Sequence, residues 1–212
     1  MDSRLTDLSV SDLVGRLATD DPVPGGGSAS ALAGAMAAAL IHMVVELTAG
    51  RPAAADHERR LAELRDRAAA LHAELLRLAE DDAAAYASVV AARRLPKETD
   101  EQRTVRQTQV ESAVRAATRA PLEVALRSTE VLALAEALAP IANRNAVSDV
   151  GVAALLAGAA IRGAALNVEI NLPSLPGADP LRDEARRVLD EARSGLDRRE
   201  RDVASAVGDR IG

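Results

Sequence analysis

The sequence has no cysteine, phenylalanine or tryptophan; Tyr86 is its one aromatic residue and Lys97 its one lysine. Each absence removes a class of explanation. Without cysteine there is no disulfide, no thiol nucleophile and no thiolate metal site. His42, His57 and His72 are too scattered to suggest a metal centre, so no metal is expected. Base-stacking aromatics are missing, and the formal charge of −6 is spread over interspersed residues of both signs. A nucleic-acid partner is therefore not expected. The opening residues MDSRLTDLSV are acidic and lack an apolar core, so no signal peptide is read there and a cytoplasmic location is expected.

What the chain has instead is Ala, Leu and Val, within an apolar share of 48% over 212 residues. Ala and Leu are the strongest apolar helix formers, and this length suits a single core. The expectation is an all-α, single-domain helical bundle covering residues 1–212. Small-residue central helices would be wrapped by longer ones. The segment 28–49, SASALAGAMAAALIHMVVELTA, is long enough to cross a bilayer. It is rich in Ala and Gly and carries His42 and Glu46, so it reads as the buried helix of a bundle, with no membrane role.

About six or seven helices follow from the apolar periodicity. A short one near 11–18 is capped by Ser9 or Ser11. The breaker-rich TDDPVPGGG precedes the apolar helix, which ends near Gly50. A long helix over about 54–94 carries the stripe Leu61, Leu64, Leu71, Leu75, Leu78, Tyr86 and Val89. Thr99 and Gln102 form a capping-box signature for the next, which Pro121 should kink or split before about 137. A second small-residue helix spans about 148–167. A last, charged helix starts at Asp179-Pro180. The pairs Gly34/Ala38 and Ala154/Gly158 would let the two small-residue helices approach closely, and leftover apolar surface suits a homo-oligomer.

Four groups of residues could carry chemistry. Gly25, Gly26, Gly27 and Ser28 run into a helix N-terminus, where converging N–H groups and the helix dipole favour an anion; a tight bend with Ser28 as cap is the plainer alternative. Asp82 continues the buried stripe from Leu75 and Leu78, and burial would raise its pKa toward proton-transfer use; a structural ion pair is the alternative. Asn143, Arg144, Asn145, Ser148 and Asp149 crowd a second helix start, beyond what a turn and a cap require. Lys97 stands alone in a loop after Pro96. His42 and Glu46, one turn apart, read as a buried polar pair.

These pieces occur together and in order in one known arrangement. PVPGGGSASALAGAMAAAL, DAAAY at 82–86, LPKET at 95–99 and NRNAVSDVGVAALLAGAAIRGAALNVEIN at 143–171 resemble the formimidoyltetrahydrofolate cyclodeaminase and methenyltetrahydrofolate cyclohydrolase family. The resemblance covers roughly residues 8–205. It departs after Gly50, where the family's basic, aromatic-containing stretch is replaced by Arg51-Pro52-Ala53-Ala54-Ala55.

The resemblance implies an all-helical, usually dimeric enzyme that acts on a tetrahydrofolate without a metal or redox cofactor. The expected reaction is hydrolysis of 5,10-methenyltetrahydrofolate to 10-formyltetrahydrofolate. The alternatives are a formimidoyltetrahydrofolate cyclodeaminase releasing ammonia, or a non-catalytic folate-binding or helical assembly protein. Both reactions pass through a tetrahedral carbon between N5 and N10. Asp82 or Asp149 would then stabilise the cation or move protons. Asn143 and Asn145 would orient water or read the pterin edge, with Ser148 beside them. Lys97, Arg144 and the Gly25–Ser28 loop would meet the glutamate tail of the folate.

Overall fold

The apolar segment after PVPGGG folds as expected into a helix, and everything else is arranged around it. The computed structural model describes residues 4–211; Met1, Asp2, Ser3 and Gly212 lie outside the described residues. Among these there is no strand. The helices are α1 (Val10–Leu17), α2 (Gly26–Thr48), α3 (Glu58–Arg93), α4 (Asp100–Leu138), α5 (Val147–Asn171), α6 (Leu181–Arg193) and α7 (Leu196–Ile211), with short 3-10 turns at Leu5–Asp7, Pro52–His57 and Leu172–Ser174. Helix α2 packs on α3, α4 and α5, and α6 and α7 cover α4 and α5 from outside.

The core lacks aromatics, so it is built from Leu, Ile and Val set among Ala. Ile41, Leu61, Leu71, Leu75, Leu122, Leu132, Leu138 and Ile161 are fully buried, each contributing roughly 1.5–3 kcal/mol. Close approach supplies the rest. At Gly163 an added Cβ would stand 2.3 Å from Ser30 Oγ, and at Gly26 it would stand 3.4 Å from Asn167 Nδ2. These are the close contacts between α2 and α5. Gly34 instead accommodates Ser128 of α4, and Gly158 makes room for Glu200 of α7, whose Oε1 takes a 2.7 Å bond from Arg162. The expectation that Gly34 and Gly158 would bring α2 and α5 together is therefore corrected: each glycine faces a different neighbour.

Several boundaries differ from the sequence reading, with physical causes. Helix α2 begins two residues earlier, with Gly25 as its N-cap, because Ser28 spends its hydroxyl elsewhere. Gly50 follows at φ +72°, the left-handed conformation that ends helices. The charged C-terminal segment is two helices, broken at Gly195 with φ +66°. Asp179 does cap α6: its Oδ1 accepts the Leu181 N–H at 3.0 Å. The Thr99–Gln102 capping box forms in full.

Pro121 neither splits α4 nor leaves its missing hydrogen bond open. The helix runs through it from Asp100 to Leu138. A proline deprives the carbonyl four residues back of its donor. That carbonyl, Ala117 O, accepts instead from Asn171 Nδ2 at 2.8 Å. His42 and Glu46 are also corrected: Nε2 and Oε1 are 3.7 Å apart on a substantially exposed face, 39% and 55% accessible, not in the core.

Candidate active site at the start of α2

Asp82 reaches the first turn of α2 because α3 runs antiparallel to α2, so the turn after Leu78 faces the helix start. Its Oδ2 accepts the Ser28 hydroxyl at 3.0 Å, and Ser28 N–H adds a backbone bond. The same hydroxyl lies 3.1 Å from Ala79 O, so Ser28 ties α2 to α3 twice. Gly27 is required for this approach: a Cβ there would stand 2.2 Å from Asp82 Oδ1. The glycine run thus seats an anion on the helix N-terminus as expected, and that anion is the protein's own carboxylate.

Burial raises the Asp82 pKa above the ordinary aspartate range, and the two bonds from Ser28 only partly offset it. Asp81, its neighbour, turns outward to pair with Arg77. Asn167 was outside the sequence-derived set. It stands at this end beside Gly26, its Nδ2 donating to Gly163 O at 2.8 Å. The signal was its i+4 relation to Asn171, but Asn171 serves Pro121.

The Asn143–Asp149 group lies at the other end of α2. Asn143 N–H donates to Thr48 Oγ1 at 3.0 Å and its Nδ2 to Leu47 O at 2.9 Å. Its Oδ1 accepts Asn145 N–H at 3.1 Å, so every polar atom of that side chain is engaged in closing α2 onto the α4–α5 turn. Arg144 Nε holds Arg210 O at 2.8 Å, fastening the end of α7. Asn145 and Ser148 are exposed and Asp149 is half-buried. Ser28 and Thr48 are twenty residues apart, about 30 Å along a helix. Within one chain, therefore, Asp82 and Asp149 do not share a site, which corrects the expectation that they flank one cation.

Lys97 is exposed at the tip of the α3–α4 hairpin, with no carboxylate on its ammonium. Asp82 to Arg93 is eleven residues, about 16 Å, so this hairpin projects beyond the start of α2. A cleft of about 640 Å³ opens between its two arms, lined by residues including Ser88, Leu95, Val105 and Gln109. Tyr86 lies on the projecting part and is 44% exposed, so the buried stripe loses it. Among the described residues no three His, Asp or Glu side chains gather as a metal site.

Comparison with known proteins agrees with this architecture. A methenyltetrahydrofolate cyclohydrolase of Methylorubrum extorquens is 41% identical over 159 residues, 75% of this chain and 76% of that protein. The formimidoyltransferase-cyclodeaminase of Rattus norvegicus is 33% identical over 171 residues, 81% of this chain. The chain spans only 32% of that longer protein. A solved formiminotetrahydrofolate cyclodeaminase from Thermotoga maritima superposes with a TM-score of 0.86, covering 98% of this chain and all of that one at 24% identity, which establishes the fold. The sequence model of the formiminotransferase-cyclodeaminase family matches residues 9–189, and the chain belongs to that family.

Proposed function

We propose that the chain is a folate one-carbon enzyme that hydrolyses 5,10-methenyltetrahydrofolate to 10-formyltetrahydrofolate. The observation that carries this is Asp82, a proton-accepting carboxylate withdrawn from water over the α2 N-terminus. The Methylorubrum relative's name favours this reaction over cyclodeaminase ring closure, the second reading, which the Rattus relative's name supports. No cofactor beyond the folate itself is proposed.

The chemistry follows from the substrate's charge. The carbon between N5 and N10 is an amidinium centre, and ionised Asp82 attracts it. Water adds to that carbon while Asp82 takes the water's proton. The N5–carbon bond then breaks, its electron pair going to N5, which receives the proton from Asp82. The hydroxyl becomes the formyl carbonyl on N10 and its proton leaves to solvent. One water is consumed and one proton released, and Asp82 ends as it began. In this reading the hairpin cleft takes the apolar part of the folate, and Lys97 at its rim meets the glutamate carboxylates.

A homodimer is also proposed. Ala29, Ala33, Met36, Leu40, Met43 and Leu47 mark one face of α2 at alternating spacings of four and three. Met36, Met43 and Leu47 are 54%, 40% and 43% exposed, and on adjacent α5 Val152 and Leu155 are 46% and 65% exposed. By length and composition both α2 and Val147–Ser174 could cross a membrane. The heptad spacing on α2, however, fits pairing with another helix.

The test is loss of 5,10-methenyltetrahydrofolate absorbance, at a pH where spontaneous hydrolysis is slow. Enzyme-dependent loss that disappears in Asp82→Asn supports the proposal. Turnover of formimidoyltetrahydrofolate alone, with ammonia released, would select the second reading. Saturable binding with neither reaction would leave a folate-binding protein.

A further inference from the structure

We infer that the active site is completed by a second copy of this chain. The start of α2 of one subunit meets the α4–α5 turn of its partner. This rests on the proposed folate chemistry for the roles of the residues, while the geometry stands independently. One chain places its two polar groups about 30 Å apart, one bearing Asp82 and the other bearing Asn145, Ser148 and Asp149. Asn145 is exposed, and no hydrogen bond engages the Ser148 hydroxyl or the Asp149 carboxylate.

Between these two ends runs the exposed apolar face of α2 and α5. Two helices of 23 and 25 residues present a face about 35 Å by ~20 Å, roughly 700 Å² per subunit, close to the ~800 Å² per partner of a stable interface. On α2 the residues 29, 33, 36, 40, 43 and 47 keep a strict heptad, the pattern of a seam between two helices. A two-fold axis perpendicular to α2 lays it antiparallel on its copy, and the helix dipoles then oppose favourably.

That arrangement sets the start of each α2 beside the end of the other. Asp20, Asp21 and Asp82 stand at the start, and Arg51 and Arg144 stand at the end, so unlike charges meet. The α3–α4 hairpin, which overhangs the start of α2, then reaches alongside the partner's α4–α5 turn. Asp82 and Lys97 of one subunit and Asn145, Ser148 and Asp149 of the other thereby line one site, and each dimer holds two. A parallel pairing would instead bring like ends together and leave both sets incomplete.

The absence of cysteine makes the geometry directly testable. Tyr86→Cys and Asn145→Cys are prepared separately, mixed to allow subunit exchange, and treated with a short bismaleimide. A cross-linked dimer in the mixture, absent from Asn145→Cys alone, is expected. No cross-link in the mixture, or self-linking of Asn145→Cys, would overturn the antiparallel pairing. A monomer that floats with anionic phospholipid vesicles would overturn it in favour of a membrane face. This readout needs no turnover, so its failure is distinct from failure of the proposed reaction.

Shared chemistry is then read by mixing Asp82→Asn with Asp149→Asn. Each alone is expected to be nearly inactive, and exchange should restore about a quarter of wild-type activity, the share random pairing gives. No recovery on mixing, or full activity of Asp149→Asn by itself, would overturn the shared site.

Discussion

Replacing Asp82 with Asn separates chemistry from stability at one side chain. An amide fits the site: its oxygen accepts Ser28 N–H while its nitrogen donates to Ser28 Oγ, whose own hydrogen turns to Ala79 O. The expected loss in turnover is about 10²- to 10⁴-fold, the usual worth of a general base, with no fall in the urea midpoint. The raised pKa also fixes a pH effect. Between the ordinary aspartate value and the raised one, the folded chain keeps a proton that the unfolded chain has lost, so this residue's effect is that stability falls as pH rises through that window. The acid limb of kcat/KM should lie above the ordinary aspartate range for the same reason. Ser28→Ala removes a bond that lowers the Asp82 pKa, so that limb should move further up. A profile that stays put would remove Ser28 from the tuning of Asp82. Gly27→Ala drives a Cβ into the carboxylate and should cut kcat at least about tenfold by misplacing the base, measured beside unchanged helicity. The stripe from Leu75 to Asp82 was legible in the sequence because helical period alone puts Asp82 inward. Its partner was not, because an N-cap reading of Ser28 used the same atom that the structure gives to Asp82.

At the scale of whole helices, α4 shows how a fault in one element is mended by another. Pro121 removes the donor to Ala117 O, and Asn171, fifty-four residues on, supplies one. Asn171→Ala should cost about 1–3 kcal/mol, the penalty of a carbonyl left without a partner. In the Pro121→Ala background the backbone N–H returns, so the same substitution should cost much less. Chemical denaturation of the four proteins gives the coupling, and additive effects would show that the two residues are independent. Proline alone correctly marks a disturbance, and sequence leads to the expectation of a kink. The remedy depends on how the end of α5 lies against α4, which no local pattern encodes. The breaks at Gly50 and Gly195 share a cause, the left-handed conformation. Only Gly50 was read as a stop, since an Arg-Pro pair follows it, whereas charged helical sequence continues on both sides of Gly195.

For the molecule as a whole, the all-α class was plain from composition, while the assembly of the site was not. The two polar motifs read as neighbours because nothing in a linear pattern says that α2 separates them by its full length. Antiparallel packing of α3 and α5 on α2 decides it: Asp82 falls at the start and Asn143 at the end. The half of α2 and α5 left outside the bundle is as apolar as the half within, and a monomer would hold that face in water. If a second copy covers it, association and folding are linked, and the unfolding midpoint must rise with protein concentration. Scans of wild type over a hundredfold range of concentration should show that rise. Met36→Glu and Leu155→Glu place a charge on the face without touching the core, so each should abolish the dependence and yield a helical monomer by light scattering. With both polar groups then confined to separate chains, turnover should fall with dimer content rather than with helix content. A monomeric variant of full activity would show that one chain suffices for catalysis.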